Sequence, residues 1–243
     1  MKISFRSDIQ ILRAVAVLAV ILYHANIHIL NNKLLPGGFL GVDIFFVISG
    51  YLISKIILNE IETSGKLSIS NFIKNRLRRI VPALFFILLI TILFANLYLF
   101  PLSLLTFGKS LIASIFFLSN FYYLFIGYEY GVNDLIFRPL LHTWSLGVEE
   151  QFYLIYPFFL LILFKYFKNK INLILILLII TSVFLINFIL EESLLAHFYS
   201  ITSRFWELLI GCLTFFLFEK KLLIKKESLY YGLIFLGIIL IPF

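Results

Sequence analysis

Residues 80–100 read IVPALFFILLITILFANLYLF and contain no charged side chain. A helix of about 20 apolar residues spans the roughly 30 Å hydrocarbon core of a bilayer. The run is too long for a barrel strand and shows no sustained alternation of polar and apolar residues. We therefore predict that it forms a membrane-spanning helix, because only helices and closed barrels satisfy their backbone polar groups in lipid.

The rest of the chain repeats this pattern, with further apolar runs separated by short polar connections. Hydrophobic residues make up 62% of the 243 positions and charged residues 14%, whereas soluble domains contain about 45–50% and about 25%. This composition excludes a water-soluble, a disordered or a nucleic-acid-binding protein. We predict an all-α, polytopic transmembrane helical bundle of about seven to eight segments, forming one membrane-embedded domain over residues 1–243. The further runs cover approximately 9–30, 39–58, 103–126, 146–164, 171–190, 203–218 and 229–243.

Both ends of the chain bear on this organisation. The last run stops at Phe243 without a closing polar segment, so we expect the domain to be incomplete at its C-terminus. Lys2 and Arg6 precede the first run, but no small-residue cleavage site follows them, so we expect an uncleaved first span.

Basic residues predict the orientation of the bundle. Most of the 20 lysines and arginines lie in segments 1–13, 55–79, 165–170 and 219–226, and such segments stay in the cytoplasm. We therefore expect a cytoplasmic N-terminus. If 103–126 crossed the bilayer, segment 165–170 would fall outside, so we expect 103–126 to be re-entrant or interfacial.

The first span carries two ionisable residues, Arg13 and His24, eleven positions apart. About three helical turns bring both to one face, roughly 16 Å apart along the axis. An ionisable side chain inside a membrane is a functional hypothesis by default, and the alternative is a histidine hydrogen-bonded to a neighbouring helix. His28 follows four positions later, but no third ligand is evident and Cys212 is the only cysteine, so we expect no metal.

The stretch 37–51, GGFLGVDIFFVISGY, opens the second span. Its first three glycines permit close approach of another backbone. Asp43 sits at the apolar entry, where an unpaired carboxylate would be costly. It either faces His24 across the short outer loop or is stabilised at a helix N-terminus.

An Arg-Leu-Arg-Arg cluster closes the polar stretch 60–79, which we expect to form an inner loop. Arg76 and Arg79 are three positions apart and can face one way on a helix. Paired guanidiniums bind phosphates through forked hydrogen bonds. The alternative is a positive-inside stop before the third span.

The most distinctive stretch is 142–157, HTWSLGVEEQFYLIYP. We expect Glu149 and Glu150 to begin a helix and to point about 100° apart, so that the two carboxylates differ in role. A carboxylate here is either favoured by the helix dipole or acts as a general acid or base, or orients a histidine. His142, just upstream, is the other candidate base.

Segment 203–207, SRFWE, brings Arg204 and Glu207 three positions apart at the outer end of a span, where they can pair. Trp206 suits a belt of aromatic residues at the membrane interface. The segment is either a structural anchor or a substrate contact through Arg204.

Together these five stretches resemble the acyltransferase family 3 membrane proteins, which include O-antigen and polysaccharide O-acetylases. The likeness lies in Arg13 with His24, the 37–51 stretch, the Arg-x-x-Arg pair, the 142–157 stretch and the segment SRFWELLIGC, in this order over nearly the whole chain. Members of that family are usually longer and have more spans, and some carry a further extracytoplasmic domain.

The resemblance implies an O-acyltransferase of a bacterial inner (cytoplasmic) membrane. Such a protein moves an acyl group, usually acetyl, from cytoplasmic acyl-CoA to a hydroxyl of an extracytoplasmic glycan such as O-antigen, capsule or exopolysaccharide. It also implies that His24 is essential and that Arg13, Arg76 and Arg79 handle the acetyl-CoA donor.

From the residues and the resemblance together we predict His24 as the catalytic base, assisted by Asp43 or Glu149. One alternative is a transporter or flippase of glycan or lipid intermediates, which would also carry charges inside the membrane. Another is an inactive, truncated remnant. The predicted acceptor contacts are His142, Glu150 and Arg204.

Overall fold

The computed structural model describes residues 7–29, 32–130, 138–189 and 194–218. A two-residue antiparallel hairpin, β1 (His28–Ile29) with β2 (Asn32–Lys33), follows the first helix, and 3₁₀ turns cover Pro36–Leu40 and Lys168–Lys170. The α-helices are α1 (Ser7–His24), α2 (Gly41–Ser64), α3 (Ile69–Tyr98), α4 (Pro101–Ile115), α5 (Ser119–Tyr130), α6 (Thr143–Tyr166), α7 (Ile171–Ile189), α8 (Leu194–Tyr199) and α9 (Ile201–Phe218).

Six helical stretches within the described residues are long and apolar enough to cross a membrane. They coincide with six of the predicted apolar runs, so the predicted all-helical membrane architecture is confirmed. The run 229–243 and the basic segment 219–226 lie outside the described residues. The six stretches are Ser7–His24, Pro36–Ser64, Ile69–Tyr98, Thr143–Tyr166, Lys168–Ile186 and Ile201–Phe218.

The run 103–126 forms two short helices, α4 and α5, rather than one span. The chain turns between them at Phe117, which has a positive φ of 56°. Gln151 on α6 stabilises this break, because its Nε2 donates to the Phe117 carbonyl and to Asn120 Oδ1, both at 2.8 Å. At about 1.5 Å per residue neither helix reaches the roughly 30 Å of a hydrocarbon core. This agrees with the prediction that 103–126 does not cross the bilayer as one helix.

The polar stretch 60–79 was expected to be a loop, and most of it is helical. α2 continues to Ser64 and α3 begins at Ile69, so the connection is only four residues long. The expectation was wrong because Lys, Arg and Glu are good helix formers even where they are too polar for lipid. α3 has 30 residues, about 45 Å, which exceeds the roughly 30 Å of a hydrocarbon core, and it carries Arg76 about two turns after its start.

Close backbone contacts determine how α1, α2 and α9 pack. A Cβ at Gly50 would overlap the Leu208 carbonyl of α9, and a Cβ at Gly211 would overlap the Val47 carbonyl of α2. Small residues of this kind let membrane helices approach closely. In the same way Gly41 lies against the Ala16 carbonyl of α1. These contacts hold α1, with Arg13 and His24, against the start of α2.

The buried core lies where α2, α6 and α9 meet. It is largely aromatic, and Phe152 stacks on Tyr156 at 4.8 Å between ring centroids. The Tyr156 hydroxyl forms a 2.6 Å hydrogen bond with Ser54, so the polar end of the ring is satisfied in the interior. Other fully buried members are Phe46, Ile53, Ile57, Leu160, Phe215 and Phe216.

Candidate active site

His24 is the last residue of α1 and is exposed. Its Nδ1 lies 2.9 Å from the Val20 carbonyl oxygen. A carbonyl only accepts hydrogen bonds, so in the neutral ring Nδ1 carries the proton and Nε2 keeps a lone pair. The Tyr23 ring packs edge-on against the imidazole at 5.1 Å. His24 is therefore held in the tautomer that a general base requires.

Asp43 was considered as a partner of His24, and the structure pairs it with another residue. Asp43 lies in the first turn of α2 and accepts a hydrogen bond from the Arg204 guanidinium at 3.1 Å. Within the described ranges no hydrogen bond joins His24 to a carboxylate. A partly buried carboxylate is better stabilised by a charged guanidinium than by a neutral imidazole, which explains this choice of partner.

Arg204 links α9 to α2 and is the centre of a charged cluster. The predicted pairing with Glu207 is confirmed, with Nη1 and Oε1 2.8 Å apart. Glu207 is buried, and the Trp144 and Phe198 rings lie 5.7 and 5.1 Å from the guanidinium carbon. With both carboxylates on one guanidinium, the geometry supports the anchoring interpretation of this segment.

Glu149 lies at the centre of a second cluster, built from four helices. The Ser49 hydroxyl on α2 donates to Glu149 Oε1 at 2.8 Å. The positive charges of Arg76, Arg13 and Arg79 also act on this carboxylate, that of Arg76 most strongly. The three arginines predicted to handle the donor therefore converge on a single acidic residue.

These three arginines are not neutralised by direct contacts. Arg13 and Arg76 are half-buried and Arg79 is exposed. In the part of the chain that the structure describes, none of the three forms a hydrogen bond or ion pair with a protein group. Several N–H donors in a partly buried, positively charged cluster are suited to a multiply charged anion.

The predicted start of the helix at Glu149 and Glu150 was wrong. α6 begins at Thr143 and has no acidic residue in its first turn, whereas the dipole effect falls off within that turn. The dipole alternative therefore does not account for these carboxylates. Glu150 Oε1 is buried without a hydrogen-bond partner in the described residues, and the charge of Arg76 acts on Glu150 as well.

His142 directly precedes α6, at the same end of the molecule as His24. Removal from solvent lowers the pKa of His142 from its usual 6.5, a backbone contact with Pro139 raises it, and the charge of His24 lowers it further. The two histidines are therefore close enough to sense each other. His28, in β1, is exposed and joins neither cluster.

Sequence reasoning missed Ser49 and Tyr153. Tyr153 is buried, and its ring centroid lies 4.2 Å from the guanidinium carbon of Arg76. Neither residue has a sequence signal of its own, since each acquires its role only when α2, α3 and α6 pack together. Tyr153 is one helical turn after Glu149, and that spacing was the only available indication that it shares the same face.

Comparisons with known proteins agree with this arrangement. Residues 6–243 match the acyltransferase domain family. The chain is 37% identical over 222 residues to the O-acetyltransferase OatA of Staphylococcus aureus strain NCTC 8325, which covers 89% of this chain and 35% of that protein. It is 42% identical over 158 residues to the peptidoglycan O-acetyltransferase OatA of Listeria monocytogenes, covering 65% and 24%.

A putative O-acetyltransferase of Staphylococcus aureus strain MSSA476 is 40% identical over 169 residues, covering 70% of this chain and 27% of that protein. The chain thus spans about a third or less of the length of these relatives. No solved structure matches it. Because the family match extends over nearly every residue, the chain belongs to the acyltransferase 3 family of membrane proteins.

Proposed function

We propose that this chain is the membrane-embedded part of an O-acetyltransferase. It takes an acetyl group from acetyl-CoA on the cytoplasmic side and passes it to a hydroxyl of an extracytoplasmic glycan. The observation that carries the proposal is the convergence of Arg13, Arg76 and Arg79, without hydrogen bonds to protein, on the same bundle as His24. The name of one relative, the peptidoglycan O-acetyltransferase OatA of Listeria monocytogenes, favours peptidoglycan over O-antigen as the acceptor class.

The arginine cluster fits the donor by charge. Acyl-CoA carries several phosphates, and guanidiniums bind phosphates through paired hydrogen bonds. Arg13 and His24 share α1 and are about three turns, roughly 16 Å, apart. A donor held by its phosphates at Arg13 would therefore extend its pantetheine arm along α1 toward His24.

Glu149 serves this site as a positioning residue in the proposal. Its carboxylate attracts the three arginines, and Ser49 fixes the carboxylate through the 2.8 Å hydrogen bond. Without donor, Glu149 offsets part of the positive charge. With donor bound, the phosphates take over that role. Asp43 is assigned to the anchor with Arg204 and Glu207.

His24 supplies the base in the proposed reaction. Its Nε2 accepts the proton of the acceptor hydroxyl while the oxygen attacks the thioester carbonyl. The carbon–sulfur bond then breaks, and His24 returns the proton to the departing CoA sulfur. The Val20 carbonyl keeps the Nδ1 proton in place throughout. An acetyl group carried transiently on His24 is a variant of this route.

His142 and Glu150 complete the proposal on the acceptor side. A neutral His142 beside His24 can hydrogen-bond a sugar hydroxyl, and the free Oε1 of Glu150 can accept another. Arg204 is already engaged by two carboxylates, which makes it the weakest of the three predicted acceptor contacts.

The experiment is acetyl transfer from radiolabelled acetyl-CoA in membranes that contain the chain. We expect label to reach glycan or protein in the wild type. It should be lost in His24→Ala and in Arg76→Ala/Arg79→Ala. The matched controls are His28→Ala and Arg78→Ala, because His28 joins neither cluster and no charge from exposed Arg78 is resolved at Glu149.

Retained transfer in the His24→Ala variant would contradict the proposed base. No transfer by a correctly inserted wild-type chain, with a full-length relative active in parallel, would contradict the proposed activity of this chain. Transport of a glycan intermediate independent of acetyl-CoA would support the transporter alternative instead.

A further inference from the structure

Arg76 is in direct contact with aromatic rings, and in the described residues it forms no hydrogen bond or ion pair with an acid. Its guanidinium carbon lies 4.2 Å from the centroid of the Tyr153 ring and 5.9 Å from that of Phe72. Both rings are buried, with 4% of each residue exposed. A cation against the face of an aromatic ring is attracted by the ring quadrupole. Arg76 is thus held in place while its own N–H groups stay available.

Arg204 provides the contrast within the same molecule. It also lies near two rings, but its guanidinium contacts Asp43 and Glu207 directly. Those carboxylates use the donors that a phosphate would need. Arg79 shows the opposite case, because it is exposed and contacts no ring in the described residues. In the part of the chain that the structure describes, Arg76 is therefore fixed by rings while its N–H groups have no hydrogen-bond partner in the protein.

We infer that Tyr153 is a positioning residue for the donor, holding the Arg76 guanidinium against its ring so that the N–H groups of Arg76 are available to the phosphates of acyl-CoA. The inference rests on the proposed function and identifies the residue that makes the site specific for a planar, forked phosphate contact. Holding the guanidinium in advance removes an entropic cost that a mobile arginine would incur on binding.

The ring, not the hydroxyl, carries this role. Phenylalanine keeps the aromatic face, whereas leucine keeps bulk and loses it. We therefore expect Tyr153→Phe to stay within about threefold of wild type in acetyl-CoA affinity. Tyr153→Leu should reduce the affinity for acetyl-CoA roughly tenfold, as expected for the loss of a partly desolvated cation–π contact.

The test measures KM for acetyl-CoA and kcat separately, together with direct binding of CoA to the chain in nanodiscs. Phe152→Leu is the matched control, because Phe152 is a fully buried ring at the preceding position of α6 that touches no cation. We expect Tyr153→Leu to raise KM and weaken CoA binding with kcat little changed. Phe152→Leu should lower stability without changing donor affinity.

Two results would overturn the inference while leaving the proposed function intact. One is unchanged CoA affinity in Tyr153→Leu, and the other is equal loss of affinity in Tyr153→Phe and Tyr153→Leu. If the wild-type chain bound no CoA and transferred no acetyl group, both the inference and the proposed function would fail together.

Discussion

Gly50 of α2 and Gly211 of α9 lie at a reciprocal crossing, each facing a backbone carbonyl of the opposite helix. A Cβ at Gly50 would overlap the Leu208 oxygen, and a Cβ at Gly211 would overlap the Val47 oxygen. The crossing fixes the separation of two helices that also share the Asp43–Arg204 ion pair. It therefore determines whether the charged cluster can form at all.

Replacing either glycine by alanine should destabilise the bundle. Overpacking a tight contact costs about 1–3 kcal/mol, and backbone atoms cannot move aside as a flexible side chain does. Thermal unfolding in detergent should show clearly lower melting temperatures for Gly50→Ala and Gly211→Ala than for the wild type. Gly108→Ala is the control, because a Cβ there meets nothing within 4 Å. Equal melting temperatures for all three variants would contradict the assigned crossing.

Removing the Arg204 charge should destabilise the chain. Arg204→Gln leaves the carboxylates of Asp43 and buried Glu207 without their shared cation. Breaking a buried pair in this way costs about 3 kcal/mol, somewhat less where Asp43 is partly exposed. Adding Asp43→Asn and Glu207→Gln should restore part of the loss in a denaturation measurement. Failure of the triple variant to recover would show that Arg204 acts through something other than these acids.

Gln151→Leu should loosen α4 and α5 from α6. The change removes the donors to the Phe117 carbonyl and to Asn120, and each buried group left unpaired costs about 1–3 kcal/mol. Limited proteolysis within α4 and α5 should speed up. Asn96→Leu serves as control, because Asn96 is an exposed amide that contacts only its own helix. Similar proteolysis rates in both variants would argue against the stabilising role assigned to the Gln151 hydrogen bonds.

His142 should stay neutral at a pH where a free histidine begins to protonate. Removal from solvent and the charge of His24 both lower the pKa of His142 below 6.5, and a backbone contact with Pro139 opposes them. As pH falls through 6.5, a free histidine takes up a proton while His142 resists. NMR titration of labelled histidine should report this. His24→Gln should raise the pKa of His142, and His28→Gln should leave it unchanged.

Cysteine labelling can test the expected orientation. In a Cys212→Ser background, Ser70→Cys at the start of α3 should react with an impermeant reagent only after the cytoplasmic face is opened. Asn32→Cys, in β2 at the other end of α1, should react in intact cells. The reverse pattern would place the N-terminus outside and would contradict the assignment from the basic residues.

The sequence predicted the spans well because hydrophobicity and length determine them directly. Arg204 and Glu207 were also predictable, since their spacing of three brings them together on any helix. The start of α6 was placed too late, because Thr143 and Ser145 interrupt the hydropathy without interrupting the helix. Helix ends depend on local hydrogen bonding, which hydropathy does not report.

Contacts between distant helices were the part that could not be predicted. Ser49 and Glu149 are a hundred positions apart, and only the packing of α2 on α6 brings them to 2.8 Å. Likewise Asp43 was expected either to face His24 or to be stabilised at a helix N-terminus. It does lie in the first turn of α2, but its ion-pair partner Arg204 was not foreseen. Which charged group pairs with such a carboxylate depends on how the helices pack. That packing is set by the whole bundle and cannot be inferred from one stretch of sequence.

The break at Phe117 has a consequence for the bilayer itself. α4 and α5 are about 22 Å and 18 Å long at 1.5 Å per residue, shorter than the surrounding hydrocarbon. Lipids accommodate such short segments by thinning. We therefore expect the two water phases to lie closest together beside α6, the helix that begins after His142 and carries Glu149. A small acyl group passing from one face to the other would meet its shortest apolar path at that place.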